Sequence, residues 1–392
     1  MYDAIEGMKI LDLTRLTPGG YTTKLLSELG AAVTKIEDTK DGDYMRIVGP
    51  MYDEYSVWFH ALNVNKKSVC LDLKHPEGCR IFKQLVQHYD VLIESFRPEV
   101  MARLGLDHTT LAKINPRLVY CSLTGYGQSG PFKNQPGHDI NYMAIAGALG
   151  LNGPRNGPPV PPGLQVADLG GATMAAVGIL AAYIGAQRTG KGRYIDISMT
   201  DTVLSWLPLE MAEYFATGTA PERGQSYLNG GEACYAVYPT KDGRFVSIGN
   251  REKKFWVNFC QAAQHPDFEN LHFSKRETDF DKVEAFFRSK TLQEIESLFD
   301  SVDTCITPVL KLDEVPDHPQ IKAREMILEE NKDAGLPPLL ACPIKFSDKT
   351  NQRYQRAPRL GEHTREILKS IGFTDEGIEQ AVRDGTIGIA QE

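Results

Sequence analysis

The chain has 392 residues, 42% of them apolar and 24% charged, the composition of a folded globular protein long enough for two domains. A formal net charge of −8 argues against a nucleic-acid or anionic-membrane surface as the main partner, while leaving room for a local basic pocket that takes an acidic ligand. Seven cysteines, an odd number without CxxC spacing, suggest neither a disulfide framework nor a zinc site, and no metal is expected.

The opening residues Met1-Tyr2-Asp3-Ala4-Ile5-Glu6-Gly7 contain no cationic or apolar signal region, and the closing Ala390-Gln391-Glu392 matches no retention or peroxisomal signal. The uncharged run at 172–186 reads as too short to span a bilayer, so the expectation is a reduced, cytoplasmic protein without a membrane partner.

In chain order, Lys9-Ile10-Leu11-Asp12-Leu13 reads as a strand; Pro18-Gly19-Gly20 opens a helix over 21–29, and Gly30 closes it before a strand at 32–37. The alternation recurs as strand 68–73, helix 77–88, strand 91–94, helix 98–104 and strand 118–123, which implies a mostly parallel, doubly wound sheet. Residues 147–162, dense in Gly, Pro and Asn, form a loop. A helix over 170–187 ends at Thr189-Gly190-Lys191-Gly192; a strand at 193–199 and a helix at 201–214 follow. After a linker at 216–230 the character changes. Cys234-Tyr235-Ala236-Val237-Tyr238, the turn Lys241-Asp242-Gly243 and residues 244–248 make a hairpin, with helices at 252–263, 279–289 and 291–300. The expected organisation is 1–215 as the first part of a large α/β domain, 216–230 as linker, 231–310 as a small α+β domain, and 311–392 returning to the large domain.

Two side chains could trade a proton. His138, in Gly137-His138-Asp139-Ile140-Asn141-Tyr142, lies in a polar loop past Pro136, where an imidazole can act as a base near neutral pH. Asp139 beside it reads as loop-orienting. Asp168, in Gln165-Val166-Ala167-Asp168-Leu169-Gly170-Gly171, stands where a helix begins. Its plain role is an N-cap, and its chemical role is a carboxylate beside free N–H groups that could hold an enolate or oxyanion. Gly125-Tyr126-Gly127-Gln128-Ser129-Gly130 matches G-x-G-x-x-G, but Pro131 and Pro136 deny it the helix that a dinucleotide pyrophosphate needs, so it reads as a ligand-approach loop. Arg97, in a turn at a carboxyl end of the sheet, is a phosphate-anchor candidate, and Glu252 reads by default as a first-turn helix acid.

Taken in order, several motifs become recognisable together: residues 7–13, Leu29-Gly30-Ala31, Lys35-Ile36-Glu37, Asn65-Lys66-Lys67-Ser68, Leu71-Asp72-Leu73-Lys74, Phe96-Arg97-Pro98, Leu104-Gly105, residues 124–131, Gly190-Lys191-Gly192 and residues 358–364. Over nearly the whole chain they resemble the family III CoA-transferases of the CaiB/BaiF type, and within them most closely the α-methylacyl-CoA racemase branch. The resemblance implies a large Rossmann-like domain built from both chain ends, a small central domain, and two ring-like subunits interlocked as a homodimer. It also implies a coenzyme A thioester as substrate without a prosthetic group, with Lys35, Arg97, Gly125, Tyr126, Gly127 and Asp139 as the expected CoA-binding positions.

In the family's transferases the residue matched by Asp168 attacks the thioester and gives an anhydride, then an aspartyl-CoA thioester. In its racemases it is an acid/base that faces the His of a Gly-His-Asp motif, here His138, which a Glu from the neighbouring subunit, here Glu252, pairs with. With all three positions filled, the leading expectation is racemisation of 2-methylacyl-CoA thioesters, and CoA transfer between carboxylic acids is the alternative. A binding protein on a retained scaffold is the third reading, and it has no need of all three residues. One departure stands out: where the racemases carry Arg just after the acid of Lys35-Ile36-Glu37, this chain has Asp38, with Lys40 nearby.

Overall fold

Six apolar strands, Lys9–Leu13, Ala32–Glu37, Lys67–Leu71, Val91–Glu94, Val119–Thr124 and Tyr194–Ser198, pair side by side in parallel, with Ile10 opposite both Val33 and Val91. A seventh, Ile387–Gly388, closes one edge antiparallel to Lys67–Leu71. This computed structural model describes residues 2–52, 55–329, 337–348 and 354–390; residues 330–336 and 349–353 of the turn-rich C-terminal stretch, and Gln391-Glu392, lie outside them. Strands with near-continuous apolar runs suit a sheet covered on both faces. The central strands, Lys9–Leu13 and Val91–Glu94, are neighbours in space but not in sequence, so the strand order reverses between them. In such sheets ligands bind outside the carboxyl ends of the strands at that reversal.

The chain divides into two compact units: residues 1–143, 165–205 and 320–392 form the larger, and residues 144–164 and 206–319 the smaller. In the larger, Leu11, Val69, Ile81, Phe82 and Leu92 share a buried core with Ile367, Leu368 and Ile378 of the last two helices, so both chain ends build it. Burial of each such side chain stabilises the fold by about 1.5–3 kcal/mol. The smaller unit is α+β. Its antiparallel sheet of Tyr235–Pro239, Phe245–Gly249 and Ile306–Pro308 shares a core with the helices Lys253–Ala262, Glu277–Arg288 and Leu292–Phe299 around Trp256, Phe259 and Phe287. The third strand, short and ending in Pro308, carries no alternation that a sequence scan detects.

Three elements depart from the sequence reading for identifiable reasons. The helix expected over 201–214 is two, Met199–Ser205 and Pro208–Thr217, because Pro208 opens the second helix and cannot continue the first. Ala148–Leu151 makes one helical turn inside the Gly- and Pro-rich loop. The helix expected over 170–187 runs from Val166 to Thr189, 24 residues, and is long and apolar enough by length and composition to cross a membrane. Ala167, Gly171, Ala172, Ala175, Ile179 and Ala182 are buried, and the helix packs on Leu16–Glu28, where Thr22 Oγ1 donates to the Ala172 carbonyl.

Beneath the loops at the carboxyl ends lies an ionic network with no access to solvent. Lys35 Nζ pairs with Asp43 at 2.9 Å and donates to the Thr14 carbonyl at 2.7 Å. Lys66 Nζ donates to Asp12, to Thr23 Oγ1 and to Asn63 Oδ1. Burial alone would raise the Asp12 and Asp43 carboxyls, but Lys35 outweighs it at both, helped by Lys66 at Asp12 and by the Met45 and Leu16 N–H groups at Asp43, and both are held below the usual carboxylate range. Their contribution to stability is therefore present above the unfolded carboxylate pKa and is lost as pH falls through the folded value. Lys35→Met leaves two buried carboxylates without their main counter-charge, and the expected loss at pH 7 is about 3–5 kcal/mol. Urea unfolding measures it, and the deficit narrows toward pH 5 as those carboxyls, now governed by burial, take up protons.

Candidate active site

At the reversal of strand order, the loops after Lys9–Leu13, Val91–Glu94 and Val119–Thr124 enclose a cavity of about 680 Å³. His138 and Asp168 both line it, together with Arg97, Gly125, Tyr126 and Tyr142. A larger cavity of about 980 Å³ in the smaller unit, on the face of its three-stranded sheet, holds no such acid and base pair. Position in the fold and chemistry both favour the first.

What joins the two side chains is Asp139, the residue after His138. The His138 carbonyl accepts from the N–H groups of Asn141 and Tyr142, and Asn141 Oδ1 accepts from the His138 N–H, so the helix Asp139–Ile145 begins at His138. Asp139 Oδ1 then accepts the N–H groups of Ala167 at 2.6 Å and Asp168 at 3.0 Å. The N-cap position of the Val166–Thr189 helix is Gln165, whose side chain caps nothing; Asp139 supplies the cap from 28 residues away. Asp168 is thus a first-turn residue and not the N-cap that its surroundings suggest. Two of the free N–H groups expected there are occupied, since Ala167 and Asp168 donate to Asp139; Leu169 makes the first intrahelical bond, to the Gln165 carbonyl.

This arrangement sets the charge of Asp168. Burial, and then the neighbouring Asp139 carboxylate, push its carboxyl up to about 7, so it gains and loses a proton near neutrality. Tyr142 is pushed up to about 12 by burial and by Asp168. Its hydroxyl donates to the Gly137 carbonyl, and its ring meets Tyr126 edge-on at 5.1 Å. Gly125 is required by that ring, since a Cβ there would lie 2.2 Å from it. The missing side chain of Gly125 makes room for Tyr142. Gly127, at φ +80°, turns the loop so that the Gln128 N–H reaches the Asp196 carboxylate at 3.0 Å.

The structure brings His138, Asp168, Arg97, Gly125 and Tyr126 to one cavity; Gly127 lies behind them against Ser198. Asp139 faces the helix it caps. Lys35 is fully buried in the ionic network, where Asp12, Asp43 and Glu37 outweigh burial and hold its ammonium above the usual lysine value. Glu252 stands exposed in the smaller unit, ahead of Lys253–Ala262, with no cap bond from its carboxylate.

Three residues at the cavity escaped the sequence reading. Arg15 and Lys133 line it, and no motif marks them. Glu94 lies beneath it, buried, accepting from the Phe96 N–H at 2.8 Å and from the Ser122 hydroxyl, and is pushed up to about 7 by burial. An acidic residue closing a strand that is otherwise apolar was the available signal for Glu94. Among the described residues no cluster of three or more His, Cys, Asp or Glu could hold a metal ion.

Comparison with known proteins identifies the family. The family model for CoA-transferase family III matches residues 5–364. The chain is 35% identical over 390 residues to the alpha-methylacyl-CoA racemase of Homo sapiens, covering 98% of this chain and 97% of that protein. It is 33% identical to the acetyl-CoA:oxalate CoA-transferase of Acetobacter aceti, with 93% and 95% covered, and 31% identical to the succinyl-CoA:glutarate CoA-transferase of Mus musculus, with 98% and 90% covered. The fold superposes on a CAIB/BAIF family protein from Brucella suis with a TM-score of 0.81 at 28% identity, over 93% of this chain and 98% of that one. The chain therefore belongs to CoA-transferase family III, whose enzymes are CoA-transferases and acyl-CoA racemases.

Proposed function

We propose that the protein interconverts the 2R and 2S epimers of 2-methylacyl-CoA thioesters. One of His138 and Asp168 takes the α-proton and leaves an enolate; the other returns a proton to the opposite face. The observation that carries this reading is the Asp139 link, which sets an imidazole and a carboxyl near its own neutral point on the walls of one cavity. A group that both holds and releases a proton near pH 7 suits general acid–base work. In this reading the substrate is a coenzyme A thioester, no prosthetic group takes part, and Arg97 with the Gly125–Gly127 loop faces the CoA. The enzyme is a cytoplasmic, interlocked homodimer in which Glu252 of the partner subunit orients His138. The uncommitted carboxylate of Glu252 is consistent with that task.

The second reading, CoA transfer with Asp168 as nucleophile, draws support from the transferases among the relatives. Asp168 would then have to be ionised, and burial beside Asp139 opposes ionisation.

Incubation of a single 2-methylacyl-CoA epimer in D₂O is expected to give both α-deuteration and epimer mixing, each slowed about 10²- to 10⁴-fold by His138→Ala. Absence of both across several chain lengths, with a hydroxylamine-sensitive adduct on Asp168 and little effect of His138→Ala, is the outcome of the transferase. Independently, Asp139→Asn keeps an acceptor for the helix but removes the like charge, so the Asp168 carboxyl should titrate lower, as followed by ¹³C NMR. Because the folded Asp168 titrates above its unfolded value, its contribution to stability is lost as pH rises toward 7. Asp168→Asn should accordingly raise the melting temperature more at pH 8 than at pH 5.

A further inference from the structure

Arg15 is the first long cation after the central strand Lys9–Leu13, at the reversal of strand order. It lines two cavities. One is that of His138 and Asp168; the other is a smaller one of about 270 Å³, also lined by Asp38, Lys74, Phe96 and Arg103. The guanidinium is held from several sides. NH2 donates to Asp38 Oδ2 at 2.8 Å, NH1 donates to the Tyr44 hydroxyl, and the Tyr44 ring lies 4.7 Å from the guanidinium carbon. The backbone is fixed as firmly, since the Arg15 N–H donates to Ser95 Oγ and the Leu16 N–H to Asp43 Oδ1. Leu16 has φ +64°, a conformation leucine rarely adopts, so the turn that aims Arg15 is maintained against a local cost.

Asp38 would be a liability as a bare carboxylate facing a polyanion. Here its charge is already engaged: Oδ1 accepts the N–H groups of Lys40, Asp41 and Gly42, and Oδ2 faces Arg15. Burial works against the ionised form, but these N–H groups and Arg15 outweigh it, so the carboxyl sits below its usual range. Asp38 therefore acts as an anchor for the guanidinium. Of the five donors on a guanidinium two are engaged, and the side chain keeps 29% of its surface exposed toward the cavities. A planar fork so held fits phosphate oxygens.

We propose that Arg15, aimed by Asp38 and Tyr44, binds the phosphates at the nucleotide end of the substrate. This rests on the reading of the substrate as a CoA thioester. Asp38 is then a positioning residue and makes no contact with the ligand itself.

Calorimetric binding of CoA, 3′-dephospho-CoA and pantetheine to the full chain tests it without depending on turnover. Arg15→Gln should weaken CoA about 10- to 100-fold and leave pantetheine binding unchanged, Arg15→Lys should weaken CoA less, and Asp38→Asn should weaken it several-fold. A loss that disappears with 3′-dephospho-CoA assigns Arg15 to the 3′-phosphate, and one that persists assigns it to the diphosphate. Equal CoA affinity in wild type and Arg15→Gln, or equal losses for CoA and pantetheine, overturns the proposal. A wild-type chain that binds no CoA overturns the CoA reading itself. Unchanged melting temperatures for Arg15→Lys and Asp38→Asn keep the comparison free of folding effects.

Discussion

One carboxylate, Asp139, holds the site together. Its two hydrogen bonds to Ala167 and Asp168 cap the longest helix of the chain from a residue 28 positions earlier. A cap of this kind contributes about 0.5–2 kcal/mol to stability, modest beside the whole fold. Its larger consequence is geometric and electrostatic. Because Asp139 follows His138 directly, the bond that caps the helix also sets the imidazole loop beside the carboxyl. Burial raises the proton affinity of Asp168, and the charge that caps the helix raises it further. One interaction thus supplies the placement of the pair and adds to what burial already does to Asp168.

The turn that brings Arg15 to the same cavity rests on a buried ionic floor. Asp12, Lys35, Asp43 and Lys66 are almost wholly out of water, and each accepts from or donates to a backbone or side-chain group of the turns above the sheet. Such a network is stable only when complete, since a single missing partner leaves a buried charge. Its completeness is what allows Leu16 to stay at φ +64° and Arg15 to emerge beside the cavity. Glu94 plays the same part for the next loop, holding the Phe96 N–H from below. The Rossmann-like sheet provides the reversal of strand order, and these buried polar groups fix the height and direction of the loops that use it.

The parallel sheet was legible in the sequence because apolar runs alternating with glycine-closed helices report directly on burial, and the α+β character of the smaller unit because a hairpin is followed by helices; the large domain built from both chain ends was implied by the family resemblance. The break at Pro208 and the third strand, Ile306–Pro308, were not legible. The first is a local steric rule inside a run with good helical periodicity, and the second is too short to show any period. At the site, His138 and Asp168 were visible as motifs, but the role of Asp139 was not. A cap supplied from 28 residues away leaves no local signature, and a sequence scan assigns the cap to the nearest Asp. Arg15 was invisible for a related reason: only its pairing with Asp38 and its place on two cavity walls distinguish it from other basic residues.

Proton affinity also bears on which of the two chemistries expected of Asp168 its setting favours. As a nucleophile, an aspartate must be ionised at the moment of attack, which favours a polar setting with hydrogen bonds to its oxygens. As an acid/base, it must be able to change state, which favours burial and a like charge nearby. The first-turn N–H groups that would stabilise the ionised form of Asp168 are given to Asp139 instead. The same pair of bonds therefore removes stabilisation from the Asp168 anion and adds a negative neighbour. Both effects favour the proposed proton carrier over the nucleophile.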